Sequence, residues 1–337
     1  MRIQYLSIAV TAVDLTALTV CLGALACRLW LLSATGVIHE IGADILFTRL
    51  WQTLGVCIAA LTLSSVMLLF VRTAMMSGRP LLDTLSILPL VIVKTHFGKV
   101  WMIRFVGLGL AWPGWFWGWR FCQSRVAWGF LFVAAALIAA SRSASGHAAD
   151  AGDFTMAEII DWLHIFMVSA WAGALVVVSL VLLPAVLKLA TRRRAVIATL
   201  ARHLSTMAGI ALAGVLVTGV FNAWRELDGS FSALWNTVYG QLLSIKLLLV
   251  LAMIGLGAIN RYRFVPRLHD WAKLPLRQRG LIRLPQCLRA FAKGGKKLEA
   301  SSPNPVCGFA RTARIEAILM LGVLMATAVL LHVMPAH

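Results

Sequence analysis

The sequence EIIDWLHIFMVSAWAGALVVVSLVLLPAVL, residues 158–187, contains no Asp, Glu, Lys or Arg after Asp161. An apolar run of this length is typical of a helix that crosses a bilayer, which needs about 20 such residues. Its acidic and histidine side chains all lie near its beginning. The stretch therefore predicts a transmembrane helix with an ionisable stripe just inside one membrane surface.

Similar apolar runs recur along the whole chain of 337 residues, of which 60% are hydrophobic and 13% charged. Soluble domains contain about 25% charged residues. We therefore predict an all-α, polytopic integral membrane protein embedded in a lipid bilayer. About eight transmembrane helices are expected, near residues 6–30, 51–71, 99–119, 126–142, 159–187, 206–224, 239–260 and 315–334.

The basic residues predict the orientation of these helices. Connections that follow odd-numbered helices hold 22 of the 31 Lys and Arg residues, and the opposite side holds six. The basic-rich side is expected to be cytoplasmic, so an even number of helices places both termini outside. The net charge of +18 is concentrated in residues 261–314. Membrane topology and contact with anionic lipid headgroups account for this positive charge. No nucleic-acid partner is expected.

Two membrane segments are expected. Residues 1–142 form an N-terminal four-helix segment, with an interfacial helix near 81–97 where Asp83, Pro89 and Lys94 interrupt the apolar run. Residues 143–337 form a second four-helix domain, with a basic cytoplasmic loop at 261–314.

The residues Asp161, His164, Val168 and Trp171 share one face of a helix, because their spacing is i, i+3, i+7 and i+10. An ionisable group inside a membrane is costly and is a functional candidate by default. The alternative is a buried histidine that is hydrogen-bonded to a neighbouring helix.

Other imidazoles and thioethers are expected near the same surface. Thioether sulfur favours Cu(I), and imidazole binds Cu(I), Cu(II) and Zn(II). Asp161, one turn before His164, or a neighbouring carbonyl could hold the second ring nitrogen of that histidine. We predict a metal site that draws on His147, His164, His332, Met334 and Asp161.

Two further carboxylates lie within predicted helices. Asp14 and Glu316 could pair with Arg104, Lys246 or Arg202. Glu316 is also expected to form a structural ion pair with Arg261, because both lie at the cytoplasmic interface.

An ordered set of short motifs covers most of residues 95–337: Thr95-His96-Phe97-Gly98 with Trp101 and Arg104, Gly146-His147-Ala148, Leu163-His164, Ala170-Trp171-Ala172-Gly173, Arg202 with Ser205, Gly219 with Asn222-Ala223, Tyr239-Gly240-Gln241-Leu242 with Lys246, Asn260-Arg261-Tyr262 with Pro266, and Glu316. With these motifs the chain, and its second half above all, resembles the bacterial copper resistance D (CopD) family of inner-membrane proteins. Two features depart from the family pattern: Ala174 replaces a glycine, and the segment 265–313 is longer than usual.

The resemblance implies a copper ion as the bound or transported species and a periplasmic copper-binding protein as partner. It also implies a multi-pass protein of the bacterial inner membrane, so the predicted topology places both termini in the periplasm. We expect transport from the periplasm toward the cytoplasm, with His147 and His164 at the outer mouth. No enzymatic activity is expected, because the carboxylates are scattered and no Ser–His–Asp order is evident. No phosphate-binding loop is evident either, so transport is expected to be passive, ion-coupled or driven by a partner protein.

Two other functions remain open from the sequence. The first is a b-type haem electron carrier, in which His164 would pair with His147 or His332 as axial ligands. The second is an assembly factor that delivers copper to a membrane cuproenzyme without transporting it.

Overall fold

A computed structural model of the chain describes residues 2–32, 43–121, 124–146, 155–187, 193–273 and 305–333. Every regular element in these ranges is a helix, and they contain no strand. The predicted all-α, polytopic class is confirmed. Eight long helices run through the described residues: α1 (Arg2–Ala26), α2 (Ala43–Ser77), α3 (His96–Arg120), α4 (Arg125–Ser143), α5 (Met156–Leu187), α6 (Arg193–Glu226), α7 (Val238–Lys273) and α8 (Pro305–Leu330).

Seven of these described helices are long and apolar enough to cross a membrane; α3 is the exception. The helix α3 has 25 residues, which at about 1.5 Å per residue exceeds the thickness of a hydrocarbon core. Reciprocal indole hydrogen bonds tie it to α2: Trp51 donates to the carbonyl of Trp115 at 3.2 Å, and Trp115 donates to the carbonyl of Trp51 at 3.0 Å. It also packs along α4. We therefore include α3 among the helices of the bundle that cross the membrane.

The two ends of the described chain meet at one face of the bundle. Ser7 Oγ, in the second turn of α1, lies 2.7 Å from Nε2 of His332, which follows α8. Gly146, after α4, also lies at this face, because a Cβ added there would be 3.9 Å from Leu331 Cδ2. We call it the terminal face. Because α1 begins and α8 ends at the terminal face, the chain crosses the bundle an even number of times between these two points.

The helices α1 and α5 pack backbone against backbone at the centre of the bundle. A Cβ added to Gly173 would lie 2.1 Å from the carbonyl oxygen of Thr19. Gly173 ends a π-helical turn, Ser169–Gly173, which locally widens α5. Small residues that allow such close approach are common at helix interfaces in membranes. This contact fixes the depth of α5 and of the polar residues at its beginning.

The helices extend beyond the predicted apolar spans. Within the segment predicted as a basic loop, 261–314, α7 continues to Lys273 and α8 begins at Pro305. Residues 274–304 lie outside the described residues. Hydropathy marks only the part of a helix that lies in hydrocarbon, and polar turns continue the helix beyond it. The segment predicted as an interfacial helix contains two short helices, Leu81–Ser86 and Leu88–Lys94.

Candidate functional site

His164 is held against α6 by a hydrogen-bond relay. Its Nδ1 lies 2.8 Å from Thr218 Oγ1, and the Thr218 hydroxyl lies 2.7 Å from the carbonyl oxygen of Gly214. When the single hydroxyl proton of Thr218 is donated to the Gly214 carbonyl, which only accepts, Nδ1 of His164 donates to Thr218. In this tautomer the Nε2 lone pair of the neutral imidazole is a potential ligand.

The imidazole lies in a notch that a glycine provides. A Cβ added to Gly219 would be 3.2 Å from Cε1 of His164, closer than an ordinary contact. Any larger residue at position 219 would push the ring away from α6. Gly219 therefore sets how close His164 approaches Thr218.

Asp161 bonds to an amide, not to His164. The side-chain nitrogen of Asn222 donates to Asp161 Oδ1 at 3.1 Å. The expectation that Asp161 holds the second ring nitrogen of His164 is wrong for this structure, since Thr218 takes that place. Asn222 is 8% exposed, and its Oδ1 has no hydrogen-bond partner among the described residues. A buried acceptor of this kind, beside a carboxylate, is suited to a donor or a cation.

Met167 follows His164 by one helical turn and faces the same helix. A Cβ added to Gly214 would lie 2.9 Å from Met167 Sδ. Imidazole and thioether groups are thus stacked along α6, with the thioether deeper in the bundle. We refer to Asp161, His164, Met167, Thr218 and Asn222 as the His164 site.

Charged residues surround the His164 site on neighbouring helices. Lys246 of α7 interacts electrostatically with Asp161, His164 and Glu226. The Tyr239 hydroxyl donates a hydrogen bond to the Glu226 carboxylate. The ionisable side chain of Lys246 therefore lies in the electrostatic surroundings of the site.

His332 lies at the terminal face with different partners. Its Nδ1 lies 2.8 Å from the carbonyl oxygen of Ala328 and therefore donates to it. In the neutral ring, Nε2 then accepts from the Ser7 hydroxyl at 2.7 Å. Metal binding through this nitrogen would require the Ser7 bond to open.

The structure brings together only part of the predicted metal site. His147 and Met334 lie outside the described residues. Within the described part of the chain, no group of three or more His, Cys, Asp or Glu side chains is arranged to hold a metal ion. The structure groups Asp161 and His164 on α5 with Thr218 and Asn222 on α6, whereas His332 packs against α1.

The predicted metal site lacks three members of the His164 site: Met167, Thr218 and Asn222. The sequence does not mark Thr218 as part of a site, because a lone threonine in an apolar helix usually hydrogen-bonds to the backbone of its own helix. A methionine such as Met167 in an apolar helix is typical of packing, so the sequence does not mark it as a ligand. The spacing of Gly214 and Gly219 on α6 was the available signal, since glycines on a long apolar helix mark close approach.

The long apolar helices and the polar His164 site near one face define a multi-pass membrane protein with a candidate cation site. Residues 2–157 match the family "Copper resistance protein D-like, N-terminal domain", and residues 197–330 match the family "Copper resistance protein D". Together the two matches cover most of the chain, and the match to the N-terminal domain comes first along it. The chain belongs to the copper resistance protein D family.

Three curated proteins illustrate the similarity. "Copper resistance protein D" of Pseudomonas syringae pv. tomato is 27% identical over 241 residues, 70% of this chain and 75% of that protein. "Inner membrane protein YebZ" of Escherichia coli is 33% identical over 108 residues, 32% of this chain and 35% of the relative. "Copper transport protein CutJ" of Bacillus subtilis is 33% identical over 124 residues, 36% of this chain.

The matched segment is 35% of the Escherichia coli relative and 21% of the Bacillus subtilis relative. Most of each of those two proteins therefore lies outside the similarity. No solved structure matches this chain.

Proposed function

We propose that this chain handles copper in the bacterial inner membrane, binding it at the His164 site and passing it toward the cytoplasm. The observation that carries the proposal is the Thr218 relay, which presents the Nε2 lone pair of His164. The unpartnered Asn222 Oδ1 nearby and the Met167 thioether add one hard and one soft donor. Imidazole and thioether are ligands that copper accepts. The names of two of the relatives describe copper transport and copper resistance.

The proposed topology places the terminal face in the periplasm. Basic residues support this orientation. The segment 261–314 is the most basic part of the chain, and it joins the end of α7 to the beginning of α8, which is the end of α8 away from the terminal face. The more basic side of a membrane protein is expected to be cytoplasmic. Both termini are then periplasmic, and the His164 site opens toward a periplasmic copper-binding partner. His147 and Met334, which adjoin the described ends at this face, are proposed as additional ligands.

A flux measurement tests the proposal. The purified protein is reconstituted into liposomes that contain a copper-sensitive dye, and copper is added outside with a reductant. Dye response that exceeds empty liposomes and is lost in His164→Ala supports transport. Tight copper binding without flux would instead favour delivery to another protein.

The haem alternative has its own measurement. Bis-histidine ligation needs a second available imidazole nitrogen, and Nε2 of His332 accepts from Ser7. Protein purified from cells supplied with haem precursors is expected to show no Soret absorption. A Soret band that is lost in both His164→Ala and His332→Ala would replace copper with haem as the ligand of this site.

A further inference from the structure

Glu316 is a buried carboxyl outside the His164 site. It lies on α8 nearly four helical turns before Leu330, which ends that helix at the terminal face, a distance of roughly 20 Å. Glu316 is 3% exposed. The side-chain nitrogen of Asn260, on α7, donates to Glu316 Oε1 at 2.7 Å, and this is the only side-chain hydrogen bond that Glu316 forms among the described residues.

The two fully buried carboxyl residues of the described chain, Asp14 and Glu316, differ in their partners. Asp14 forms a salt bridge with Arg104, and both side chains are 0% exposed. No Lys, Arg or His side chain in the described ranges forms a salt bridge with Glu316. Removal of a charge from water is costly unless a counter-charge compensates it. Glu316 is therefore the buried carboxyl that needs a proton or a mobile cation as its partner.

The charged residues on two helices beside Glu316 have other partners or lie at other levels. The helix α8 packs against α1, α5 and α7. On α1, Asp14 is paired with Arg104, and Arg28 lies over the ring of Trp128. On α5, no ionisable side chain follows His164. These two helices therefore bring no counter-charge to Glu316.

The charged residues of α7 are also engaged elsewhere or remote. Arg261, next to Asn260, donates to a carbonyl of α6 at 3.1 Å. Lys246 lies almost four turns before Asn260 and interacts with the His164 site. The other ionisable residues at this end of α7 lie around and beyond Phe264, whose ring packs at the beginning of α8, two turns before Glu316: Tyr262, Arg263, Arg267, His269, Asp270 and Lys273.

The helix α8 itself places no cation on the face of Glu316. Arg314 and Arg311 precede Glu316 by two and five positions. Residues that face each other on one helix are three or four positions apart. The described surroundings of Glu316 thus contain neutral hydrogen-bonding groups and no counter-charge.

Asn260 and Thr312 form a triad with Glu316 that satisfies both protonation states. The Thr312 hydroxyl is hydrogen-bonded to Asn260 Oδ1 and lies 3.0 Å from the carbonyl oxygens of Gly308 and Phe309. In the first arrangement Thr312 donates its one proton to Asn260, and the Asn260 nitrogen donates to an ionised Glu316. In the second, Thr312 donates to a carbonyl of its own helix and the Asn260 amide turns over. Its nitrogen then donates to Thr312, and its oxygen accepts the proton of a neutral Glu316.

We propose that Glu316 binds a proton and that copper on its way to the cytoplasm displaces this proton. The displacement rests on the proposed function, whereas the proton site stands without it. A copper ion that leaves the His164 site for the opposite face travels toward the end of the bundle where α8 begins. Glu316 is the buried carboxyl without a counter-charge in the described part of that path. A proton and a metal cation compete for the same carboxylate oxygens.

Infrared spectroscopy of the purified protein tests the proton site without copper. At about pH 7, where exposed carboxyl groups are ionised, the parent should show the carbonyl stretching band of a protonated carboxyl. Glu316→Gln should lose this band. Asp270→Asn, which removes an exposed carboxyl near the same end of the bundle, should keep it. A parent without the band, or a Glu316→Gln protein that keeps it, would overturn the proton site.

A second pair of variants assigns the band if Glu316→Gln fails to insert. Thr312→Val removes the hydroxyl that orients Asn260, so the band of Glu316 should shift in frequency. Thr206→Val removes an exposed hydroxyl that bonds only to its own helix and should leave the band in place. A band that stays in place in both variants would belong to another carboxyl, and the proposal would be wrong.

Copper flux at several pH values tests the displacement. In liposomes that contain a copper-sensitive dye, flux through the parent should fall as the pH is lowered, because the proton then holds Glu316. Glu316→Gln should bind copper with parental affinity, but its flux should lose this pH dependence. Copper affinity measured at the same pH values separates the effect from protonation of His164, and Asp270→Asn should behave as the parent does.

The outcomes distinguish the inference from the proposed function. If Glu316→Gln loses the infrared band but its flux keeps the parental pH dependence, the proton site is supported and the displacement is wrong. If the parent shows no copper flux, the proposed function fails and the displacement falls with it. The infrared band then still decides whether Glu316 binds a proton.

Discussion

Ser7 and His332, 325 positions apart in the sequence, are joined by a 2.7 Å contact between Oγ and Nε2. The contact places the beginning of the first long helix and the end of the last on one face. It therefore requires an even number of crossings, including α3.

The first prediction concerns this topology. A reporter that is active only in the periplasm should be active when fused after His337 and inactive when inserted between residues 274 and 304. A reporter that fluoresces only in the cytoplasm should give the reverse pattern. The same side for both positions would contradict a crossing by α8, and a full reversal would place the His164 site at the cytoplasmic surface.

The second prediction concerns the Thr218 relay. Thr218→Val keeps the shape of the side chain and removes the hydroxyl that accepts from His164. Copper affinity should fall about 10- to 100-fold, because groups that orient a metal-binding histidine have effects of this size. Isothermal titration in detergent measures the change. Thr218→Ser, which keeps the hydroxyl, should bind nearly as the parent does; equal losses in both variants would indicate a packing effect instead.

The third prediction concerns the notch at Gly219. Its alanine variant places a Cβ 3.2 Å from the His164 ring and forces the ring to shift. Copper affinity should fall about threefold to tenfold, since a site geometry must be held within roughly 0.5 Å. Gly257→Ala on α7 is the matched control, because no atom lies within 4 Å of its added Cβ. Parent-like affinity in Gly219→Ala would show that the ring position is not important.

The approximate positions of the helices could be predicted from hydropathy because their apolar runs are long, whereas the packing of α3 against α2 is what assigns that helix to the bundle. Their ends could not, because helical turns in the interface are polar; Asn260 and Arg261 illustrate this. The predicted Glu316–Arg261 pair is wrong: Asn260 donates to Glu316 at 2.7 Å, and Arg261 donates to the carbonyl of Ser205 at 3.1 Å. The suggested partner of Asp14, by contrast, is confirmed as Arg104.

For the candidate site too, features within one helix could be predicted from the sequence, whereas contacts between helices could not. The shared face of Asp161 and His164 follows from their spacing on one helix. Their partners Thr218 and Asn222 depend on how α6 is rotated toward α5, and glycines on α6 determine that approach. Such rotation is a property of packing between helices that are distant in sequence, so the spacing within α5 carries no information about it.

The central claim is that His164 binds copper. The most direct measurement compares the copper affinity and stoichiometry of three purified proteins: the parent, His164→Ala and His203→Ala. His203 lies on α6, toward the end away from Thr218 and Asn222. All three proteins are first matched for membrane insertion and for size-exclusion profile. His164→Ala should lose more than about 100-fold in affinity, since it removes a ligand rather than a supporting group, and His203→Ala should bind as the parent does. Parent-like affinity and stoichiometry in a well-folded His164→Ala would contradict the claim.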